Sequence, residues 1–364
     1  MTPIPRNPRS RALLRLAPWA ACAAMAAAAA GVQAADCRDL TDNTERLACY
    51  DLAAGRPPAS TAPAASALPA PPAAAANPAA QDGSEAGRLR AARLGATLGQ
   101  RWELDAEDSL GTFLPRPHKP VYVLPLTVTS AVNSAPASPT QGHSVTTAAE
   151  TQRAELKFQI SLKAKVWEGL FTPDLNLWVA YTQSSQWQLY NAAMSRPFRE
   201  TNYEPELIAA LRTDYTLLGW RGRLAAVSLT HQSNGRSLPL SRSWNRVIGE
   251  LGFEREQWSL VLRPWWRVSE STETDDNPGI ENYIGRGEML LTHRWGAQVL
   301  TLQARHSLRG GDNARGSLQL DWAFPIGGTL KGYVQGFTGY GESMIDYNFR
   351  QNKLGLGVSL VEWL

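Results

Sequence analysis

From Val121 onward the chain alternates apolar and polar side chains with a period of two. The clearest stretch sets Leu156, Phe158, Ile160, Leu162, Ala164 and Val166 against Lys157, Gln159, Ser161, Lys163 and Lys165. Trp258, Leu260, Leu262, Trp266 and Val268 oppose Ser259, Arg263 and Arg267 in the same way, and Leu318, Leu320, Trp322 and Phe324 oppose Ser317, Gln319 and Asp321. Such a period marks β-strands, whose successive side chains point to opposite faces. In a soluble sandwich the oily face packs on a second sheet. A transmembrane barrel instead turns that face to lipid and fills its lumen with charge, which fits the abundance of Lys, Arg and Asp on the other face. Twelve segments of about ten residues follow, near 121–130, 155–167, 175–187, 200–212, 222–233, 245–254, 257–268, 283–294, 297–307, 314–324, 330–340 and 353–364. The predicted fold is therefore all-β, a twelve-stranded antiparallel transmembrane barrel. With a periplasmic N-terminus, the connections at 131–154, 188–199, 234–244, 269–282, 308–313 and 341–352 face outward, and the other turns are mostly shorter. The first strand is the least regular, because Pro125 lacks the ladder N–H.

The N-terminal third reads differently. Arg6, Arg9, Arg11 and Arg15 precede an uncharged stretch from Leu16 to Ala30 and then Val32-Gln33-Ala34, so residues 1–34 form a signal peptide. Trp19, three before Cys22, does not suit a lipoprotein signal, and Cys22 leaves with the leader. Cys37 and Cys49 remain as an even pair in an oxidising compartment and predict a local disulfide within residues 35–52. Ala and Pro make up 21 of the 28 residues from Ala53 to Ala80, so 53–87 is an extended linker. Residues 88–119 read as a periplasmic lead-in to a barrel spanning 120–364. A net charge of +3, from 36 Lys plus Arg against 33 Asp plus Glu, gives no reason to expect nucleic acid as a partner. The expected location is the outer membrane of a Gram-negative bacterium.

Three polar residues break the oily pattern. Ala225, Val227 and Leu229 share a parity that continues to His231 and Ser233, and the parity of Val247, Gly249, Leu251 and Phe253 extends backward to Asn245. Antiparallel neighbours joined through 234–244 place Asn245 level with His231 and Ser233 on the lipid side. A serine nucleophile needs a base for its proton, and the base needs a third group to fix its tautomer. Rim residues solvated by headgroups account for the same pattern, so parity leaves both readings open.

The runs His231-Gln232-Ser233-Asn234-Gly235-Arg236-Ser237 and Ser241-Arg242-Ser243-Trp244-Asn245-Arg246 resemble the active-site signature of the outer membrane phospholipase A family. The resemblance covers roughly residues 86–364 and includes Ser195 to Pro205, Asp275-Asp276-Asn277-Pro278 and Gly339-Tyr340-Gly341-Glu342-Ser343. It implies a phospholipase A1/A2, also acting on lysophospholipids, with Ser233 as nucleophile, His231 as general base and Asn245 as its orienting group. It further implies a Ca²⁺ cofactor at Ser195, Arg236, Ser241 and Asp276, and a homodimer. Gln183 continues the outward parity of Leu175, Leu177, Val179 and Tyr181, and the resemblance places it at the centre of the dimer contact. Two positions depart from the family: Leu238 stands where its type member has an Asp, and the chain ends Trp363-Leu364 rather than on an aromatic residue. A lipopolysaccharide deacylase, which would have eight strands, and a structural or pore-forming barrel are the alternatives.

Overall fold

A computed structural model describes residues 36–55, 97–328 and 330–363. The predicted signal peptide, most of the linker and Leu364 lie outside the described residues. The N-terminal unit holds helix α1 (Asn43–Ala53), whose first turn is capped by Asp42 accepting from the Glu45 N–H, and Cys37 is disulfide-bonded to Cys49.

The second unit contains twelve long strands: β1 (Val121–Thr129), β2 (Ala154–Trp167), β3 (Leu175–Trp187), β4 (Phe198–Leu217), β5 (Trp220–Ser233), β6 (Ser243–Arg255), β7 (Trp258–Arg267), β8 (Gly287–Trp295), β9 (Gln298–His306), β10 (Gly316–Gly327), β11 (Leu330–Gly339) and β12 (Gln351–Val361). Each pairs antiparallel with its sequence neighbours, and β12 pairs with β1, closing the barrel. A short piece, Pro115–Pro117, adds to β2. The twelve expected segments are all present. The main shifts are β4, longer at both ends, and β8, which starts at Gly287 because Ile280–Asn282 forms a 3₁₀ turn ahead of it. Pro125 does sit in β1, and the ladder jumps between Leu124 and Thr127. Opposite it, Gly357 is required, since a Cβ there would collide with the Val123 carbonyl.

Burial is inverted relative to a soluble protein. On β2, Lys163 is 0% exposed while its neighbour Leu162 is 42% exposed. The apolar band thus faces outward and the charged face lines the lumen, where the charges pair. Lys157 bonds Glu342 at 2.9 Å, Lys353 bonds Glu155 at 2.9 Å, and Arg263 meets Glu250 at 3.1 Å and Glu288 at 3.3 Å. The polar luminal cavity that remains measures about 120 Å³. That packing opposes a wide pore, and twelve strands oppose the eight-stranded alternative. The aromatic residues Trp258 and Trp295 stack on either side of His293 by the short turns, forming part of an interfacial girdle.

Of the expected periplasmic lead-in, residues 97–119 are described, and part of this segment enters the barrel. Helix α2 (Leu98–Trp102), N-capped by Thr97, inserts Leu98, Trp102 and the following Leu104 among Trp178, Ile208, Leu224, Val261 and Leu290. Lys163 Nζ lies 3.0 Å from the Trp102 ring centroid, and Glu103 bonds Lys165 at 3.0 Å. This segment plugs the short-turn end. Trp363 packs against the same cluster and donates its indole N–H to Asp321 at 3.0 Å, so it serves the lumen rather than the lipid face.

Candidate active site

β5 and β6 meet in the register that parity predicts, His231 opposite Asn245 and Ser233 opposite Ser243. His231 Nδ1 and Asn245 Oδ1 are 2.8 Å apart. With Oδ1 toward the ring, an oxygen that only accepts, the hydrogen sits on Nδ1 and the Nε2 lone pair is free; the opposite amide orientation reverses this. Ser233 lies two residues along the same strand face, about 6.7 Å away at Cα for a strand rise near 3.35 Å. Its hydroxyl makes no hydrogen bond among the described residues. The three predicted residues therefore share one outward patch, with the imidazole held by Asn245 and the serine uncommitted.

The loop after Ser233 is held by a residue that parity could not single out. Asn234 is buried; its Oδ1 accepts from the Arg236 and Arg242 N–H groups at 3.3 and 3.0 Å, and its Nδ2 donates to the Leu240 carbonyl at 2.8 Å. This clamp fixes the turn that starts directly behind Ser233, with Gly235 in the left-handed region at φ 61°. The Gly235 N–H has no acceptor among the described residues.

Of the predicted cation-binding residues, Ser241 and Asp276 come together. Asp276 Oδ2 accepts from Ser241 Oγ at 2.7 Å and Ser243 Oγ at 3.2 Å, while Oδ1 lies 3.0 Å from His143 Nε2. Ser243 is the cross-strand partner of Ser233, so this oxygen cluster adjoins Ser233. The Arg236 guanidinium points elsewhere, donating to the Phe198 and Arg199 carbonyls at 2.8 and 2.7 Å, so only its backbone oxygen could face a cation. Ser195, at φ 59° in the 188–197 connection, is joined to none of these groups among the described residues. No three His, Cys, Asp or Glu side chains form a metal-binding group among the described residues. One carboxylate, two hydroxyls and backbone carbonyls nevertheless fit a hard, oxygen-seeking cation. No periodic signal ties the 131–154 connection to 269–282, so the sequence gives no sign of the His143–Asp276 contact.

Gln183 pairs with Tyr203, Tyr203 with Ser233 and Ser233 with Ser243, so all four share one row across β3 to β6. At roughly 4.8 Å per strand, Gln183 is about 10 Å from Ser233 in that row. Its Oε1 accepts from Tyr181 at 3.2 Å. Beside the row, an apolar groove lined by Val179, Leu207, Leu229 and Val268 ends at His231 and Asn245.

Comparison with known proteins places this architecture. The family model described as phospholipase A1 matches residues 98–360. The putative phospholipase A1 of Neisseria meningitidis serogroup B is 37% identical over 343 residues, covering 88% of this chain and 89% of that protein. Phospholipase A1 of Escherichia coli K12 is 41% identical over 213 residues, 58% of this chain and 72% of the other. Among solved structures, outer membrane phospholipase A from Escherichia coli superposes with a TM-score of 0.64 at 35% identity, covering 72% of this chain and 98% of that one. The Salmonella typhi outer membrane phospholipase, solved as a dimer with bound calcium, gives 0.62 at 35% identity and covers 70% and 94%. The chain belongs to the phospholipase A1 family and is an outer membrane β-barrel.

Proposed function

We propose that this chain hydrolyses acyl esters of membrane phospholipids, at either glycerol position and on lysophospholipids, with Ser233, His231 and Asn245 as its catalytic triad. The observation that carries the reading is the 2.8 Å His231–Asn245 contact on the lipid-facing side, beside an apolar groove that suits an acyl chain. His231 Nε2 takes the Ser233 proton as Oγ bonds the ester carbonyl carbon. The carbon–oxygen bond to glycerol then breaks, and the leaving alcohol receives that proton. Water hydrolyses the acyl-serine by the same transfer and releases the fatty acid. Asn245 faces the imidazolium with a neutral dipole, which avoids a second buried charge near hydrocarbon. The Gly235 N–H is a backbone donor for the oxyanion. Ser241, Asp276 and the Arg236 carbonyl would hold Ca²⁺, which supplies electrostatic stabilisation of that oxyanion. The test is release of fatty acid from a defined phosphatidylethanolamine by the purified chain, with and without calcium; no release with calcium present overturns the reading.

Asn245→Ala removes an orienting hydrogen bond and leaves base and nucleophile in place. Turnover is expected to fall on the order of ten- to a thousandfold, by loss of tautomer and ring orientation. Activity equal to the parent in the detergent assay would make Asn245 a bystander.

The active species is a homodimer in which Gln183 packs against its counterpart. Within its own strand the Gln183 amide makes two long bonds, accepting from Tyr181 at 3.2 Å and donating to Ser185 at 3.5 Å, and pairing it across two copies recovers roughly 1 kcal/mol. The row shared with Ser233 ties that contact to the site, and the dimer adds Ser195 of a second copy to the calcium ligands. Gln183→Leu should weaken the dimer about fivefold, from that same 1 kcal/mol, and lower activity in parallel. Unchanged sedimentation together with unchanged turnover would exclude the scheme.

A further inference from the structure

Beyond the triad, Asn245 has a second partner. Its Nδ2 donates to Glu270 Oε1 at 3.4 Å, on the side of the amide away from His231. Glu270 belongs to the long connection after β7, and the Val268 N–H donates to the Asn245 carbonyl at 2.8 Å, anchoring that connection's start to the same residue. The other carboxylate oxygen lies 3.8 Å from Arg267 Nη2, and Arg267 is itself fixed by Asp275 at 2.6 Å and Glu281 at 3.4 Å. Burial raises the Glu270 carboxyl above its ordinary value, opposed by Arg267.

We infer that Glu270 is a positioning residue that sets the protonation pattern of the proposed triad through Asn245. An asparagine side chain can turn over by 180° and exchange its oxygen and nitrogen at little steric cost. With its oxygen toward His231, Asn245 demands a hydrogen on Nδ1 and leaves Nε2 able to accept the serine proton. With its nitrogen toward His231, it stabilises the opposite tautomer, whose Nε2–H cannot act as a base. The His231 contact alone does not choose between these states, because imidazole can supply either a donor or an acceptor. A carboxylate is acceptor-only and does choose: it binds the amide nitrogen, so the oxygen must face the histidine. Glu270 thus makes one tautomer the stable one from two residues away, and its charge polarises the amide so that Oδ1 accepts more strongly from a developing imidazolium. Long hydrogen bonds of this kind commonly tighten when substrate is bound.

The inference rests on the triad reading, and the experiment separates the two. Glu270→Ala, Glu270→Gln, Asn245→Ala and the Asn245→Ala/Glu270→Ala double variant are prepared as full chains in detergent with calcium. Heat-modifiable gel mobility confirms folded barrels. Glu270→Ala should lower kcat about tenfold with KM within about twofold, as expected for loss of an outer orienting contact. Glu270→Gln, which keeps an acceptor oxygen, should restore kcat to within about threefold of the parent by the same reasoning. In the Asn245→Ala background, Glu270→Ala should have no further effect, since its influence has nothing to act through. Unchanged kcat in Glu270→Ala, or losses that multiply in the double variant, would overturn the proposal. Imidazole ¹⁵N shifts of His231 at one fixed pH give a readout independent of turnover. The parent should show the Nδ1–H tautomer and Glu270→Ala a mixture; identical spectra would also overturn it. A parent that does not hydrolyse phospholipid refutes the catalytic reading, and the spectra still decide whether Glu270 controls the histidine.

Discussion

Ser233→Ala should abolish ester hydrolysis while the barrel folds as before. The two halves of this expectation have separate physical grounds. Ser233 ends β5, and its hydroxyl bonds nothing among the described residues, so removing one oxygen strands no partner and opens no cavity in the packed lumen. A change of that kind usually alters stability by about 0.5 kcal/mol or less. The reaction, in contrast, loses the atom that forms the acyl-enzyme bond. Neither His231 nor the neighbouring hydroxyl of Ser243, which donates to Asp276, replaces it. Loss of a triad serine costs on the order of 10⁶ in kcat in a hydrolase of unrelated fold, a scale that makes residual turnover undetectable here. Heat-modifiable migration reports the folded barrel and fatty-acid release the chemistry. A folded Ser233→Ala protein that still releases fatty acid would remove Ser233 from the mechanism.

How much of this was legible beforehand follows from the range of each signal. Strand parity is local and strict: one residue of slip would have put His231 in the lumen, so the register of Ala225, Val227 and Leu229 sufficed to bring it beside Asn245. Lys157, Lys163 and Arg263 were assigned to the lumen by the same rule, and all are buried there. Irregular segments carry no such rule. Leu98 and Trp102 occupy the barrel mouth among side chains from strands far apart in the chain, and a five-residue helix has too short a pattern to announce its docking surface. Asn234, His143 and Glu270 act through side-chain hydrogen bonds made by loops, and one polar residue in a loop looks the same in sequence whether it clamps a turn or meets water. Family resemblance reached further, to Ser241 and Asp276, which the fold brings together, and to Ser195, which it leaves apart within one chain.

That separation bears on the proposed calcium requirement. Excess chelator is expected to suppress turnover by on the order of a hundredfold or more, the scale set by losing one preorganised oxyanion stabiliser, and restored calcium should recover it. Within one chain the oxygen cluster holds a single carboxylate, Asp276, because Leu238 stands where a second could have been. Ser241 donates its proton to Asp276, so both lone pairs of its oxygen stay available to a cation. The remaining ligands are neutral, and affinity for Ca²⁺ falls as ligand charge falls. Half-maximal activation should therefore lie at roughly 10⁻⁴–10⁻³ M, the range of weakly charged sites. Asp276→Asn removes the only formal negative charge and should raise the required concentration about tenfold or more, a shift worth about 1.4 kcal/mol in binding. Its maximal rate at saturating calcium should stay close to the parent's, since neither Ser233 nor His231 is touched. Titrating calcium against fatty-acid release for both proteins tests all of this in one series. Full turnover in excess chelator, or superimposable calcium curves for parent and Asp276→Asn, would mean that the Asp276 cluster is a structural tie between loops and not the cation's seat.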